Sequence, residues 1–220
     1  MSFNLKDYQE MFKAQGIRPP INYFIQNQFF DLWNKTNTHY WLPKNQYKFK
    51  PENFSDGVLY MSSWTSVIKN ATYKAIDYLK TNDSYQLIDI GCGKGKVLCV
   101  WEKMFKWNNV ELFGVEYSQE LSKICLENLK KIKSRRTSVK IMDVLELDFD
   151  EFDNSMIIYL FNPFNEKILE PLLDKLKNKS VVAIYNNPIH DYIFRDNHFI
   201  LKYKKNGWHP NATYNIYTNY

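Results

Sequence analysis

The sequence predicts an α/β domain built on a mostly parallel β-sheet, with helices on both of its faces. From Ser62 to the C-terminus, short apolar segments typical of strands alternate with longer segments of helical periodicity. Two of the apolar segments, "SMIIYLFN" and "SVVAIYNN", lack polar alternation, as expected of strands covered on both faces. A glycine-rich stretch, "DIGCGKGKV" at residues 89–97, joins the first predicted strand to the following helix. Together these features favour a doubly wound sheet.

The elements can be assigned in chain order. The predicted strands are short and apolar, and they cover residues 85–90, 110–117, 138–144, 155–162, 180–187, 199–205 and 212–219. The predicted helices carry an apolar stripe, and they cover residues 63–79, 94–107, 118–135 and 165–176. Ser or Thr residues are expected to cap the first of these helices, and Ser118 the third. The last two strands are separated by "NGWHPN", which predicts a closing hairpin.

Length and composition fit one globular domain with an extension. The chain has 220 residues, of which 45% are hydrophobic and 24% charged, and its net charge is +5. Its three cysteines, Cys92, Cys99 and Cys125, are too few for a disulfide framework and lack the spacing of a metal site. They favour a reducing, cytoplasmic location. We expect no secretory leader and no membrane span, since the longest apolar run is "MIIYLF".

The character of the sequence changes near residue 57, and a domain boundary is predicted there. Residues 1–57 are aromatic, polar and interrupted by prolines, with one short helix predicted around Ile21 to Asn34. Residues 58–220 contain the alternating strands and helices. We therefore expect an N-terminal extension that caps the main domain.

The glycine-rich stretch places Gly91, Gly93 and Gly95 in a turn between a strand and a helix. In doubly wound folds, glycine here permits positive φ and close approach of a cofactor, and N–H groups at the helix start favour an anion. The dinucleotide pattern G-x-G-x-x-G fails, because its third glycine position is Lys96. Glu116, at the end of the second strand, could hold the two hydroxyls of a ribose. The glycine loop alone leaves an NAD-dependent oxidoreductase as an alternative.

Three successive segments, "LIDIGCGKGKVL", "LFGVEYS" and "VKIMDVLEL", resemble the cofactor motifs of class I S-adenosylmethionine (SAM)-dependent methyltransferases in order, placement and spacing. The resemblance covers about Ser62 to the C-terminus. It implies a Rossmann-like seven-stranded sheet with an antiparallel last strand, and SAM as cofactor. With "NPF" after strand four and "NNP" after strand five, the chain looks like small bacterial-type members of this family. Such members are often compared with histone-lysine methyltransferases that lack a SET domain.

The resemblance also implies a set of cofactor-binding residues around the glycine loop and the ends of strands two and three. These are Asp89, Gly91, Cys92, Gly93, Glu116, Tyr117, Asp143 and Val144, with Thr65 from the segment before the first sheet helix. Asp89 would orient the amino-acid part of SAM, Glu116 would hold the ribose, and Asp143 would accept from the adenine amino group. From the residues alone, Asp143 could instead cap a turn. Lys94 and Lys96 could touch the cofactor carboxylate or be solvated.

The methyl acceptor is expected at the carboxyl ends of strands four and five. Asn162, Pro163 and Phe164 resemble the [D/N]-P-P-[Y/F] motif of amino methyltransferases, but with one proline instead of two. In that motif the polar side chain and a backbone carbonyl receive the hydrogens of the target nitrogen, and the aromatic ring stacks on it. An Asn-Pro turn without a ligand is the alternative.

Further candidates lie at the same predicted edge of the sheet. His209, in the "NGWHPN" loop, is a candidate catalytic residue with Trp208 beside it, and His190 follows strand five. Neither histidine has an evident acidic partner in the sequence, and no carboxylate follows strand four. We therefore favour a site without a general base.

The sequence thus predicts a SAM-dependent methyltransferase that acts on an oxygen or nitrogen of a small molecule, a glycan or a protein side chain. An RNA methyltransferase is an alternative. The basic run "KKIKSRRTSVK" supports it weakly, because that run is expected on the amino side of the sheet. A non-catalytic SAM-binding domain is the third alternative. The identity of the acceptor and the oligomeric state stay open.

Overall fold

A computed structural model describes residues 5–40, 60–80, 84–152 and 155–220. Its centre is a seven-stranded sheet of order β3-β2-β1-β4-β5-β7-β6. The strands are β1 (Gln86–Ile90), β2 (Glu111–Glu116), β3 (Thr137–Ile141), β4 (Ser155–Phe161), β5 (Ser180–Asn186), β6 (Ile200–Lys205) and β7 (Tyr214–Thr218). Strands β1 to β5 pair in parallel, whereas β7 is antiparallel to both β5 and β6. The predicted fold class is confirmed.

Helices cover both faces of the sheet. In chain order the helices are α1 (Leu5–Gln15), α2 (Arg18–Tyr23), α3 (Phe29–Asn34), α4 (Thr65–Ile76), α5 (Lys96–Met104), α6 (Gln119–Lys131), α7 (Glu166–Lys175) and α8 (Asp191–Asp196). Buried side chains of α4, α5 and α6 form one core cluster, and those of α7 and α8 form the other. Strand β4 contributes to both, which explains its run of apolar residues without alternation. In the described part of the chain, no helix is long and apolar enough to cross a membrane.

Two predicted helix starts can be compared with the structure. Ser118 caps α6 as predicted, because its hydroxyl accepts a hydrogen bond from Leu121 N at 3.2 Å. The predicted Ser or Thr cap of α4 is wrong. Trp64 is the N-cap there and makes no side-chain cap bond. The hydroxyl of the next residue, Thr65, turns instead to the carbonyl of Gln26.

The N-terminal extension holds more helix than predicted. Besides α1, a continuous helical run extends from Arg18 to Asn34 through α2, a π-helical turn at Phe24–Gln28, and α3. The segment that follows, as far as Tyr40, contacts the glycine loop and α6. The boundary at residues 57 and 58 lies outside the described residues and stays a prediction.

Asp31 organises the end of this extension. Its buried carboxylate accepts hydrogen bonds from the hydroxyls of Thr36 and Thr38 and from the backbone N–H groups of Thr38 and His39, at 2.5–2.9 Å. It also contacts the His39 ring. Burial alone would raise the pKa of Asp31, but these hydrogen bonds and the charge of Lys96 outweigh it and lower the pKa to about 2. A single carboxylate thus closes the loop after α3.

The extension docks on the main domain through polar contacts. The Gln26 carbonyl accepts from Thr65 Oγ1 at 2.8 Å and from Lys96 Nζ at 3.0 Å, and its side-chain oxygen accepts from Ser66 N at 2.8 Å. Asn128 of α6 accepts from Asn37 N at 2.8 Å and donates to the carbonyl of the same residue at 3.2 Å. These bonds fix one orientation of the extension on the domain.

Replacing Asp31 with alanine should therefore destabilise the protein. Several donors lose their acceptor in a buried place, a change that costs about 3–5 kcal/mol of unfolding free energy when a buried charged partner is removed. Because the folded pKa of Asp31 lies below its ordinary 3.8, its stabilisation is complete above pH 3.8 and is lost as the pH falls towards 2. Urea unfolding of Asp31→Ala at pH 7 measures the loss. Asp77→Ala, at an exposed carboxylate paired with Lys74, is the control and should change little. A loss below about 1 kcal/mol in Asp31→Ala would contradict this account.

Candidate active site

The glycine loop follows β1 with its backbone in the left-handed region. Gly91 has φ 73° and Gly93 has φ 54°, values that other residues adopt only with strain. The N–H groups of Gly91 and Cys92 both donate to the carbonyl of Val115 at 2.9 Å, and Gly93 N donates to the carboxylate of Glu116 at 2.8 Å. At these residues the N–H groups are engaged within the protein, and the expected preference of the helix start for an anion stays a prediction. The bonds hold β1 and β2 together.

Side chains from distant parts of the chain contact this loop. A Cβ added at Gly91 would lie 2.9 Å from Pro163 Cβ, and one at Gly93 would overlap the ring of Tyr60. The Tyr60 hydroxyl donates to the carbonyl of Thr38 at 2.5 Å, so the ring is held between the loop and the extension. Sequence reasoning missed Tyr60, although it places Thr65, five residues further along the chain, near the cofactor.

Two buried carboxyl groups lie under the loop. Burial raises the pKa of Glu116 to about 7, although backbone N–H groups of Ser118 and Gly93 donate to it. Burial and the neighbouring charge of Glu116 raise the pKa of Asp89 well above its ordinary range. Within the described residues, Asp89 Oδ2 is buried without a hydrogen-bond partner. A buried acceptor of this kind fits a bound cationic or N–H group.

The two loop lysines are buried, so a solvated role for them is wrong. Lys94 Nζ donates to the Tyr40 carbonyl at 2.5 Å. Lys96 Nζ donates to Gln26 and lies 3.5 Å from the ring centre of Phe30. Burial lowers the pKa of Lys94 to about 8 and that of Lys96 to about 7. Both side chains attach the extension to the loop.

The turn after β4 forms the opposite wall of the site. Asn162 is buried with φ 40°, and its Oδ1 accepts from the Tyr185 hydroxyl at 3.0 Å. A non-glycine residue at positive φ costs free energy and is frequent at functional sites. Between this turn and Glu116 lies a cavity of about 50 Å³. Its lining consists of Tyr60, Met61, Gly91, Glu116, Tyr117, Leu121, Phe161, Asn162, Pro163 and Phe164. The cavity thus joins part of the predicted cofactor set to the predicted acceptor set.

Six predicted cofactor residues do not line this cavity. Asp89, Cys92 and Gly93 lie in or beside the glycine loop, and the other three lie elsewhere. Thr65 donates to the extension, at the Gln26 carbonyl. Asp143 caps the 3-10 turn after β3, since its Oδ1 accepts from Leu145 N at 2.9 Å. Val144 is buried in the core beside it. Their predicted roles stay predictions.

The histidines lie away from the cavity lining. His209 stacks on Trp64 at 5.2 Å between ring centres, and its Nδ1 accepts from Asn211 N at 3.1 Å. Burial lowers its pKa, so it is neutral at pH 7 with its proton on Nε2. The expectation that neither histidine has an acidic partner is wrong for His190, whose Nδ1 lies 3.6 Å from the Glu166 carboxylate.

Comparisons with known proteins identify the domain. Residues 87–179 match a family model described as a methyltransferase domain. Over these residues, 93 of 220, the chain carries a methyltransferase domain. SAM is accordingly its methyl donor. A comparison with curated proteins found no match. Among the described residues of this methyltransferase, no group of three His, Cys, Asp or Glu side chains could hold a metal ion.

Solved structures show the same fold as this methyltransferase. The PH0226 protein from Pyrococcus horikoshii OT3 is 14% identical, with a TM-score of 0.51 over 70% of this chain and 89% of that chain. A SAM-dependent methyltransferase from Aquifex aeolicus is 12% identical, with a TM-score of 0.50 over 70% of this chain and 97% of that chain. At such identities the likeness concerns the fold alone.

The stability of the methyltransferase should fall as pH rises through the titration of Glu116. The folded pKa of about 7 lies above the ordinary 4.5, so the folded state binds an extra proton between these values. The favourable contribution present below pH 4.5 is therefore lost by about pH 7, at up to ~1.4 kcal/mol per pH unit. In urea unfolding, the unfolding free energy of wild type should fall by roughly 2–3 kcal/mol between pH 5 and pH 8 relative to that of Glu116→Gln, because glutamine does not titrate.

Glu127→Gln is the matched control for this measurement, because Glu127 is exposed on α6. The difference in unfolding free energy between Glu127→Gln and wild type should not change between pH 5 and 8. If the difference for Glu116→Gln is equally independent of pH, the buried carboxyl does not titrate near 7.

Proposed function

We propose that this methyltransferase transfers the methyl group of SAM to the nitrogen of an amine, carried by a small molecule or a protein side chain. The observation that supports this proposal most directly is the narrow cavity between Glu116 and Asn162, which joins the cofactor loop to the turn after β4. An oxygen acceptor, including that of a glycan, is the alternative within the same site.

The cofactor set proposed for SAM uses the groups around the glycine loop. Asp89, with its buried unpartnered oxygen, would receive the amino group of the cofactor. Glu116 would accept from the ribose hydroxyls, with Tyr117 beside it, and Asp143 would accept from the adenine amino group. When bound, SAM supplies a methyl group on an already activated sulfonium. The protein therefore contributes mainly proximity and alignment.

The cavity must widen before a cofactor can reach the loop. Sites for ligands of this size enclose about 300–1,000 Å³, whereas this cavity holds about 50 Å³. Tyr60 covers Gly93 from the side of the extension, and Met61 lines the same space. We infer that the segment of Tyr60 and Met61 moves outward to admit the cofactor and then closes over it.

The absence of a histidine in the lining favours an amine over a hydroxyl. A hydroxyl acceptor needs a base as the methyl group arrives, whereas an amine need only lose its proton before attack. His209 has its Nδ1 engaged by Asn211 N, so it presents an N–H donor rather than a base. Asn162 Oδ1 already accepts from Tyr185, and a carbonyl-type oxygen can accept a second hydrogen bond from an amine.

The nucleic-acid alternative has less support. In the described structure the basic run lies at the end of α6 and the start of β3, at the amino edge of the sheet. Arg136 of that run donates to the backbone carbonyls of Phe105 and Asn108 and faces Glu102, so this guanidinium is already engaged. The cavity is also mainly lined by apolar and aromatic side chains.

Replacing Glu116 with alanine should weaken SAM binding more than tenfold. The variant loses two hydrogen bonds between the ribose and a charged group, and such bonds are worth about 1.5–3 kcal/mol each. Titration calorimetry with SAM at pH 8, where the carboxylate is ionised, gives the dissociation constant. Glu127→Ala on the exposed face of α6 should bind SAM as wild type does. Wild-type affinity in a folded Glu116→Ala protein would remove Glu116 from the cofactor site.

Removing the Asn162 side chain should lower turnover while SAM affinity is kept, since this residue is proposed to contact the acceptor. Both Asn162→Ala and Asn162→Gly are needed, because glycine relieves the positive φ and alanine does not. A loss of turnover that both variants share is then due to the missing side chain and not to the backbone. Asn187→Gly, at another asparagine with positive φ (52°), is the matched control.

Turnover is followed with methyl-labelled SAM and separated small-molecule, protein and RNA fractions of a cell extract. Label in the small-molecule or protein fraction, released as an N-methyl amine on hydrolysis, is the expected result. Nuclease-sensitive label would favour the RNA alternative. Loss of SAM binding together with turnover in Asn162→Gly would place Asn162 in the cofactor site.

A further inference from the structure

The helical run from Arg18 to Asn34 has its polar side turned towards the domain and its apolar side turned to solvent. The outward side is defined here as the apolar stripe. It consists of Ile17, the N-cap of α2, and of Ile21, Ile25, Phe29, Leu32 and Trp33 in the run, which are 50–75% exposed. On the inward side, Gln26 and Asp31 make the hydrogen bonds that dock and close the extension. This is the reverse of the usual amphipathic helix on a globular domain.

The apolar stripe is continuous along the run. Its members recur mostly at intervals of four residues, which would drift around an α-helix of 3.6 residues per turn. The π-helical turn at Phe24–Gln28 has i→i+5 bonds and wider turns, so it offsets part of that drift. At the far end, the rings of Phe29 and Trp33 lie 6.1 Å apart. The stripe is therefore one surface rather than scattered exposed residues.

The area of the apolar stripe is that of an interface. Its side chains expose roughly 700–800 Å², more than the ~300–600 Å² of the largest apolar patch on a typical monomer. A standard-size interface takes about 800 Å² from each partner. From this match we infer that the apolar stripe is the contact between two copies of this chain.

The low charge of the helical run favours a second copy of the chain, rather than a lipid surface, as the partner of the apolar stripe. Between residues 17 and 34 the only charged residues are Arg18 and Asp31. Asp31 is buried, and the Arg18 guanidinium lies 4.4 Å from the ring centre of Trp208. A helix on a membrane surface presents lysines and arginines beside its apolar face. An uncharged face can meet its own copy across a two-fold axis without repulsion, and two-fold dimers are the commonest assemblies.

A two-fold dimer predicts which residue of the apolar stripe lies next to its own copy. Ile25 lies at the middle of the apolar stripe, so in an antiparallel pairing of two stripes it comes next to its own copy. All three native cysteines are buried. A cysteine introduced at residue 25 is therefore the one thiol exposed for pairing between chains.

Light scattering after size exclusion tests the dimer on the full chain. Wild type is expected at twice the 26.4 kDa mass of the chain. Trp33→Lys should run at the single-chain mass, because two lysines would be forced into an apolar contact. The control is Trp107→Lys, since Trp107 is 88% exposed and lies outside the stripe. It should stay dimeric. A wild-type monomer at about 50 μM, or a dimeric Trp33→Lys, would overturn the inference.

Cysteine cross-linking tests the same surface without relying on a disruptive variant. On mild oxidation, Ile25→Cys should form a covalent dimer and Trp107→Cys should not. Failure of Ile25→Cys to cross-link while wild type is dimeric would place the interface elsewhere. A monomeric wild type that sediments with phosphatidylglycerol vesicles would assign the apolar stripe to a lipid surface instead. Each outcome is independent of methyl transfer, so it does not depend on the proposed function.

Discussion

The site depends on how closely the rest of the chain approaches the glycine loop. Pro163 touches the loop at Gly91 from the turn after β4, and Tyr60 covers Gly93 from the side that faces the extension. At the third glycine of the loop, a Cβ added to Gly95 would lie 2.5 Å from the sulfur of Cys125. Each approach is possible only because the loop residue has no side chain. The glycines that admit a cofactor in this fold family thus also let three distant parts of this protein meet at one turn.

Burial around the loop acts on carboxyl groups and lysines in opposite directions. The pKa values of Asp89 and Glu116 are raised and those of Lys94 and Lys96 are lowered, in each case first because burial disfavours the charged form. A site with this arrangement is poorly hydrated and close to neutral. A cationic ligand beside Asp89 and Glu116 would favour their ionised forms again, and this gives the site a physical preference for a sulfonium and an ammonium over an anion.

The sequence was sufficient for the sheet and insufficient for the extension, for physical reasons. Strands β4 and β5 are marked by unbroken apolar runs, and Glu116 by its place at the end of β2, because both signals are local. The contacts of Gln26 and Asp31 carry no such signal. Gln26 meets Lys96 across 70 residues of chain through a backbone carbonyl, which any residue could offer. The partner of His190 was missed in the same way, since Glu166 begins a different helix.

The two sides of the extension suggest how the site can open. The inward contacts are hydrogen bonds, and each contributes only about 1 kcal/mol net because water can replace its partner. Water cannot replace the partner of the outward apolar stripe in the same way, because exposing apolar surface to water costs free energy in proportion to its area. If the stripe is held in a dimer, the extension is the fixed part. Opening then moves the domain away from the extension, by exchanging polar contacts for water, and leaves the segment of Tyr60 free to move outward from the glycine loop. On this argument, the polar inward face is what allows a buried cofactor site to be reached repeatedly without unfolding the cap.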